Sequence, residues 1–382
     1  MRGTTAFVDL AGVRPTVGAR ARAVAVALTR RGLTGHRVLV LLPPGADYVA
    51  TLLGCFCAGV VAVPAPPRYG RRLTEIVDDA RPAAAIGLPL TGVPTLSDLD
   101  GDPRDWVRPD IGPDTVALLQ YASSGPVRGV MVSHANLTAS ASQLVAHLGM
   151  TENTSVVSYL PPYGELGLVG GVLAPLLTGA RVTLLPSDTT PGEWLRMVSL
   201  RRAAISFAPD RAYAWHAAPS DLDLSHWDTA VAAAGPETLD RFANLLAPQG
   251  FRRESLFPAH WQPEATALVT GRRGLHTEAF GRQTHGSREV GLLSLGPAIA
   301  GTDLAVVDPV TATRCQDGTA GEVWVAGPNV AVGYLGRPGE SERTFCARLH
   351  GSTDNYLRTG QYGILRDGAL CLTEPQNVLL TR

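Results

Sequence analysis

Residues 121–130 read YASSGPVRGV, with Ser123, Ser124 and Gly125 forming a small-residue turn between two apolar runs and the cation Arg128 just beyond it. Successive backbone N–H groups in such a turn, with a cation opposite, can cradle a phosphate. Pro126 removes one donor from the place where donors are wanted, so a plain strand-turn-strand is the competing reading. Other chemistry has little to anchor it. No Gly-x-Ser-x-Gly elbow is present, and the nine His residues show no metal-ligand spacing. His260 and Glu264 lie four apart, yet Pro263 between them argues against one helical face. All 33 cationic side chains are Arg, so no step can use an ammonium group belonging to this chain.

The elements that must position these residues follow from length and pattern. A chain of 382 residues, 45% hydrophobic, exceeds the roughly 250–300 residues that one core usually serves, so more than one domain is expected. A net charge of −1 without like-charge blocks gives no electrostatic reason for a nucleic acid or anionic membrane partner. Five scattered Cys without a CxxC pair suit a reducing compartment, and Asp9 inside the first apolar stretch makes a poor signal peptide. The cytoplasm is the expected location. The run YVATLLGCFCAGVVAV at 48–63 is shorter than the roughly 20 residues a span needs. It reads as a buried helix and then a strand stopped by Pro64, which makes Cys55 and Cys57 core residues.

Helical patches near 18–31, 48–57 and 72–80 alternate with β-branched runs such as RVLVLL, and the rhythm returns from SVVSYL to about residue 270. Such alternation predicts βαβ units and largely parallel sheets covered by helices. From about 290 the texture changes to short strands with Asp-Gly and Gly turns, as in a small antiparallel sheet or barrel. PSDLDLSHWD and the Arg/Gly-rich stretch 271–288 read as surface loops.

Four segments together resemble the adenylate-forming superfamily, in its fatty acyl-AMP ligase branch. They are LLQYASSGPVRGVMVSHANL, SYLPPYGELGLVGGVLAPLLTGARVTLL, FRRESLFPAHWQPEATALVTG, and the C-terminal set from GEVWVAGPNVAVGYLGRPGESERTFCARL to YLRTGQYGILRDGALCLT. The likeness runs from about residue 17 to the C-terminus in the family's order. It implies an α/β fold: two packed α/β subdomains over 1–290 and a small β-barrel subdomain over 291–382. A mobile C-terminal lid domain would be absent, since the chain ends roughly where its hinge should begin. It also implies chemistry with ATP and Mg²⁺ that turns a fatty carboxylate into an acyl-adenylate, usually to load an acyl carrier protein.

Carried over residue by residue, the resemblance is uneven. The family's phosphate loop is about two residues longer, and Arg128 stands where it has Lys. In the motif Leu-Pro-x-Tyr-His-Asp-Met-Gly-Leu, Tyr163 is kept, Gly164 replaces the His beside the substrate carboxylate, and Glu165 replaces the Asp. Gly170 and Gly171 would let a ligand or a neighbouring backbone approach, and packing explains them as well. In Tyr-Gly-x-x-Glu-Ala-Thr, Glu264 falls at the Mg²⁺ carboxylate, although a solvated or capping Glu is the plain alternative. Trp261 replaces the Gly beside adenine; pointing inward it would fill the nucleotide's place, and it could equally turn outward. Gln361 replaces the ribose carboxylate and offers one acceptor oxygen to two hydroxyl donors. The segment Thr373 to Val378 lacks the family's downstream Arg, Lys and Asp. AAAGPETLDRF is shorter than the family's loop bordering adenine.

Apolar and shape-forming segments survive better than charged ones. Pro209, Tyr213 and Trp215 match the family's acyl tunnel and join Tyr163, Gly164, Gly170 and Gly171 as the candidate acyl pocket. The expected function is therefore an acyl-binding scaffold that has lost autonomous adenylation and acts on or binds an activated acyl group, with His260 or His134 as a possible base; the helix start before ANLTASASQL is the plainer place for His134. An active ligase with a lid supplied in trans, using ATP and Mg²⁺, and a non-catalytic protein docking to a carrier protein or synthase are the alternatives. The family and the Arg-only usage suggest bacterial lipid or natural-product biosynthesis as the setting.

Overall fold

A computed structural model describes residues 8–9, 14–217, 219–279 and 291–373. Residues 280–288 of the Arg/Gly-rich stretch, residues 374–378, and most of the N-terminal stretch read against a signal peptide lie outside the described residues.

Two α/β layers carry the site. The first sheet has the order Gly333–Tyr334, Val130–Ser133, Val116–Gln120, Val61–Pro64, Arg37–Leu41, Ala84–Gly87 and Thr95–Leu96. Its inner strands are parallel, and Val130–Ser133 returns antiparallel beside Val116–Gln120. Val38 and Val40 pack on one side while Leu39 and Leu41 pack on the other. Burial on both faces explains why these strands read as unbroken apolar runs. Helices Arg14–Arg30 and Ala46–Cys57 cover the first face and Arg71–Ala80 the second. A side chain on Gly54 would sit 2.6 Å from Val24, so only glycine lets those two helices approach this closely. Cys55 is buried as expected and Cys57 partly so.

The second sheet runs Val8–Asp9, Arg181–Leu184, Ser155–Ser158, Ile205–Phe207, Thr229–Ala232, Leu256–Trp261 and Leu268–Gly271, parallel through its centre. One face carries an aromatic cluster in which Trp194 lies 5.3 Å from Trp227 and 6.0 Å from Phe242, centroid to centroid. The segment PSDLDLSHWD does run without helix or strand, but its Leu224 and Trp227 are fully buried. Polar turn residues pointed to a surface loop, and the two apolar side chains anchor that loop to the core.

The third sheet is antiparallel and eight-stranded, built from Thr277–Ala279, Gly291–Pro297 and the C-terminal strands. The Asp-Gly turn between Asn355–Arg366 and Ala369–Thr373 has φ of 49° at Asp367 and 76° at Gly368, the left-handed pair a tight hairpin needs. Mixed parallel sheets with a separate antiparallel sheet agree with the expected α/β class. Strand Gly333–Tyr334 then leads the chain back to the first sheet, ahead of helix Pro338–Phe345.

The apolar stretch that follows Gly164 is helical with one interruption. Helical residues Glu165–Leu168 pass into a π turn at Val169–Leu173 and resume at Ala174–Thr178. Side chains at Gly170 and Gly171 would lie 2.6 Å from the Phe207 ring and 2.7 Å from Ser158 Oγ.

Candidate functional site

The segment 121–129 joins strand Val116–Gln120 to Val130–Ser133, and its neck is tied down on both sides. Asp79 accepts hydrogen bonds from the Tyr121 hydroxyl at 2.8 Å and the Gly129 N–H at 3.1 Å, and pairs with Arg337 at 2.6 Å. Arg337 also donates to the Val127 carbonyl at 3.2 Å, and the Leu335 N–H donates to the Gly129 carbonyl at 2.8 Å. Burial, with a push from Asp79, raises the Tyr121 hydroxyl well above its ordinary pKa, so it stays a donor. On the other arm Arg72 donates to the carbonyls of Gly125, at 2.8 Å, and Ala122, at 2.5 Å. Ser123, Ser124 and Gly125 form an exposed tip, with Gly125 at φ 77°. Their N–H groups make no hydrogen bond to a described residue.

Arg128 is partly exposed but not unpaired. Its guanidinium pairs with Glu340, from helix Pro338–Phe345, at 2.9 Å and lies over the Tyr334 ring, 5.4 Å from the centroid. The same tyrosine donates its hydroxyl to Glu264 Oε1 at 2.9 Å. Tyr334 thus joins the loop cation to the motif carboxylate. Burial, followed by the Glu264 charge, raises its pKa and keeps the hydroxyl protonated.

Glu264 lies in a single 3-10 turn, Pro263–Ala265, braced from the neighbouring strand connection. The Ala331 N–H donates to the Glu264 carbonyl at 2.9 Å, Asn329 donates to the Ala265 carbonyl at 3.3 Å, and Thr266 Oγ1 donates to the Asn329 carbonyl at 2.6 Å. Thr266 takes φ 64° with ψ −41°, a strained conformation for a β-branched residue that this bracing holds in place. Half-buried Glu165 senses the Glu264 charge; burial, with that smaller push, lifts its carboxyl to about 6.

His260 and Trp261 are neighbours on strand Leu256–Trp261 and so point to opposite faces. His260 is buried, sits opposite Thr270, and has no partner at Nε2; burial pushes its pKa down to about 4. It is neutral at physiological pH and a weak base. Trp261 is partly buried against the apolar core that includes Ala259 and Leu268. His134 begins helix His134–Leu148 behind the Ser133 cap and packs edge-on against Phe56, 5.8 Å away. That is the helix-start role the sequence suggests for it.

Gln361 donates its N–H to Thr359 Oγ1 at 3.1 Å, while its side-chain oxygen is buried without a donor. Tyr163 bonds Ser187 Oγ at 2.6 Å, and its carbonyl accepts from Gln120 at 2.9 Å. Gly164 precedes Glu165 and leaves open the space its motif counterpart fills; a side chain there would come no nearer than 3.5 Å to the Pro161 carbonyl. Pro209 precedes helix Asp210–Tyr213. Tyr213 is fully buried, bonded to the Val231 carbonyl at 2.8 Å and packed 5.0 Å from Phe242, whereas Trp215 is partly buried at the edge of the same cluster.

The structure thus brings Arg128, Tyr334, Glu264, Glu165 and Glu340 together. Sequence reasoning missed Tyr334, Glu340, Asp79 and Arg337. The signal lay in the quoted GPNVAVGYLGRPGESERTF, which gives no hint that its tyrosine reaches a residue 70 positions earlier. Among the described residues no group of three His, Cys, Asp or Glu is placed to hold a metal. Glu264 Oε2 accepts no hydrogen bond from a described residue, so this carboxylate fits a hard cation such as Mg²⁺. The loop fits a triphosphate less well, because the Gly129 N–H and the Arg128 guanidinium are already taken.

Residues 15–335 match the family described as AMP-binding enzyme. The chain is similar to the medium-chain-fatty-acid--[acyl-carrier-protein] ligase JamA of Moorena producens (strain JHB), with 33% identity over 412 aligned positions covering 93% of this chain and 69% of that protein. That alignment is longer than the 382-residue chain, so the relative carries residues this chain lacks. The 4-hydroxyphenylalkanoate adenylyltransferase of Mycobacterium marinum is 31% identical across 93% of this chain and 66% of its own length. Among solved structures, the fatty acyl-adenylate ligase of L. pneumophila in complex with acyl adenylate and pyrophosphate superposes with a TM-score of 0.86 at 28% identity, covering 94% of this chain and 71% of that one. No helix of the described residues is long and apolar enough to cross a membrane. With the family match spanning most of its length, this chain belongs to the AMP-binding enzyme family.

Proposed function

We propose that this chain is a fatty acyl-AMP ligase-like protein that keeps an acyl-binding scaffold, has lost autonomous ATP-dependent adenylation, and acts on or holds an acyl group activated elsewhere. One observation carries the reading: Arg128, the loop cation, is already paired with a carboxylate of its own chain, Glu340, at 2.9 Å. A phosphate must compete with that carboxylate for the guanidinium's charge. Two further departures point the same way. Gln361 offers a neutral oxygen where a ribose would be gripped by a charge, and Gly164 offers nothing to orient a carboxylate. Removing one preorganised electrostatic donor typically lowers a rate about 100- to 1000-fold, and several are altered here. The acyl wall we assign to Tyr163, Gly164, Gly170, Gly171 and Pro209, with Tyr213 behind it. A bacterial lipid or natural-product pathway in the cytoplasm is the proposed setting, with an acyl carrier protein or a synthase as partner.

An active ligase is the second reading, favoured by Glu264 and its open Oε2, by the unpartnered N–H groups at the loop tip, and by likeness to a carrier-protein ligase. Pyrophosphate exchange separates the two. With Mg²⁺-ATP and fatty acids of several lengths, the first reading expects no exchange above background; robust exchange abolished by Glu264→Gln establishes the second. A non-catalytic protein that only docks to a carrier or synthase remains a variant of the first reading, and it predicts that no acyl product forms when preformed acyl-adenylate is supplied.

A further inference from the structure

Beside the neck of the 121–129 loop, away from its exposed tip, lies a cavity of about 510 Å³ whose walls include Arg37, Asp78, Asp79, Arg81 and Arg337. Its charges are not balanced. Asp79 is fully used, with one oxygen on Arg337 and the other on the Tyr121 hydroxyl and the Gly129 N–H. Arg337 is thereby answered. The guanidinium groups of Arg37, at the start of strand Arg37–Leu41 and partly buried, and of Arg81, just past helix Arg71–Ala80 and exposed, make no hydrogen bond or ion pair to any described residue. Arg37 Nε is moreover buried without a partner. The one carboxylate left to oppose them is exposed Asp78.

A buried guanidinium donor with nothing to bind is unfavourable unless an acceptor reaches it. Two guanidinium groups lining one cavity supply planar, charged donor forks of the kind that bind phosphate oxygens. The volume far exceeds the roughly 30 Å³ share of a water molecule, leaving room for a phosphate that carries an organic substituent. We propose that this cavity binds a phosphate-type oxyanion, with Arg37 and Arg81 as its ligands and Arg337 as the shared wall between the anion and the loop neck. The inference is independent of whether the loop tip or Glu264 handles a nucleotide. It places a second anion next to a residue that also fixes Val127, so occupancy would be felt at the neck.

Isothermal titration of the full chain with inorganic phosphate at constant ionic strength tests it. One site of millimolar affinity or tighter is expected in the wild type, with acetate binding far more weakly. The double variant Arg37→Gln/Arg81→Asn should weaken binding about tenfold or more, as loss of charge-assisted hydrogen bonds does. Asn is chosen because position 81 has φ 44°, which Asn tolerates. Asp78→Asn should tighten binding, and circular dichroism of each variant separates lost binding from lost folding. Arg128→Gln should leave the affinity unchanged. No heat with wild type, equal affinity in a folded double variant, acetate binding as tightly as phosphate, or loss of binding in Arg128→Gln alone would each overturn the assignment.

Discussion

The floor of the candidate site and its rim are built on different physics. The floor, from Gly167 to Gly171 against Phe207 and Ser158, is fixed by contact: side chains added at Gly167, Gly170 or Gly171 would fall 2.1, 2.6 and 2.7 Å from their nearest neighbours. Close-packed positions accept almost no change. The rim, comprising Arg128, Glu264 and the loop neck, is fixed by pairing between charged and polar groups, and pairing can be rearranged. At the rim Arg128 has found Glu340 and Glu264 has found Tyr334. Close packing thus fixes the first region and pairing the second, and only the second can change partners without a clash.

The sharpest way to break this contrast is at two glycines three positions apart. Gly167→Ala places its Cβ 2.1 Å from the Pro161 carbonyl oxygen, whereas Gly164→Ala meets the same oxygen at 3.5 Å. The first should destabilise by about 3 kcal/mol or more and the second by less than about 0.5 kcal/mol in urea unfolding. Equal effects would show that the close contact at Gly167 does not stiffen the floor.

A smaller effect concerns His260. Folded, it takes up a proton only near pH 4, while an unfolded His does so near 6.5. Between those values the unfolded chain binds more protons, so stability falls as pH is lowered through that window, and the group contributes nothing above it. About 2 to 3 kcal/mol should be lost between pH 7 and pH 4.5 through this residue. Glu165 works in the opposite sense between its ordinary 4.5 and about 6, being raised in the folded state. Comparison with His260→Gln, in which this part of the acid loss should vanish, isolates the imidazole. An unchanged pH dependence in that variant would mean His260 is not held neutral by burial.

Much of the fold was legible because local pattern and tertiary burial agree. The helix expected near 18–31 is Arg14–Arg30, RVLVLL is a strand buried on both faces, and the Asp-Gly turn at Asp367 is a hairpin. The π turn at Val169–Leu173 was not legible, since it preserves the apolar run and changes only the hydrogen-bond register. The site was legible in composition and not in wiring. Glu264 and Arg128 stand out by type, yet their partners Tyr334 and Glu340 lie 70 and more than 200 positions away, and no periodicity encodes such a distance. Trp261 shows the same limit. Its neighbour His260 takes the opposite face, and only the packed strand shows which face meets the core.

The proposed loss of nucleotide use rests on Arg128 being paired with the chain's own Glu340. Glu340→Gln releases Arg128 at little cost in stability, since the pair is partly exposed and such pairs contribute about 0 to 1 kcal/mol. Calorimetric titration with Mg²⁺-ATP of wild type and this variant tests the claim most directly. Wild type should bind no tighter than about 1 mM and Glu340→Gln about tenfold tighter, as one freed charge-assisted contact allows. Micromolar binding by the wild type, unchanged in the variant, would contradict it.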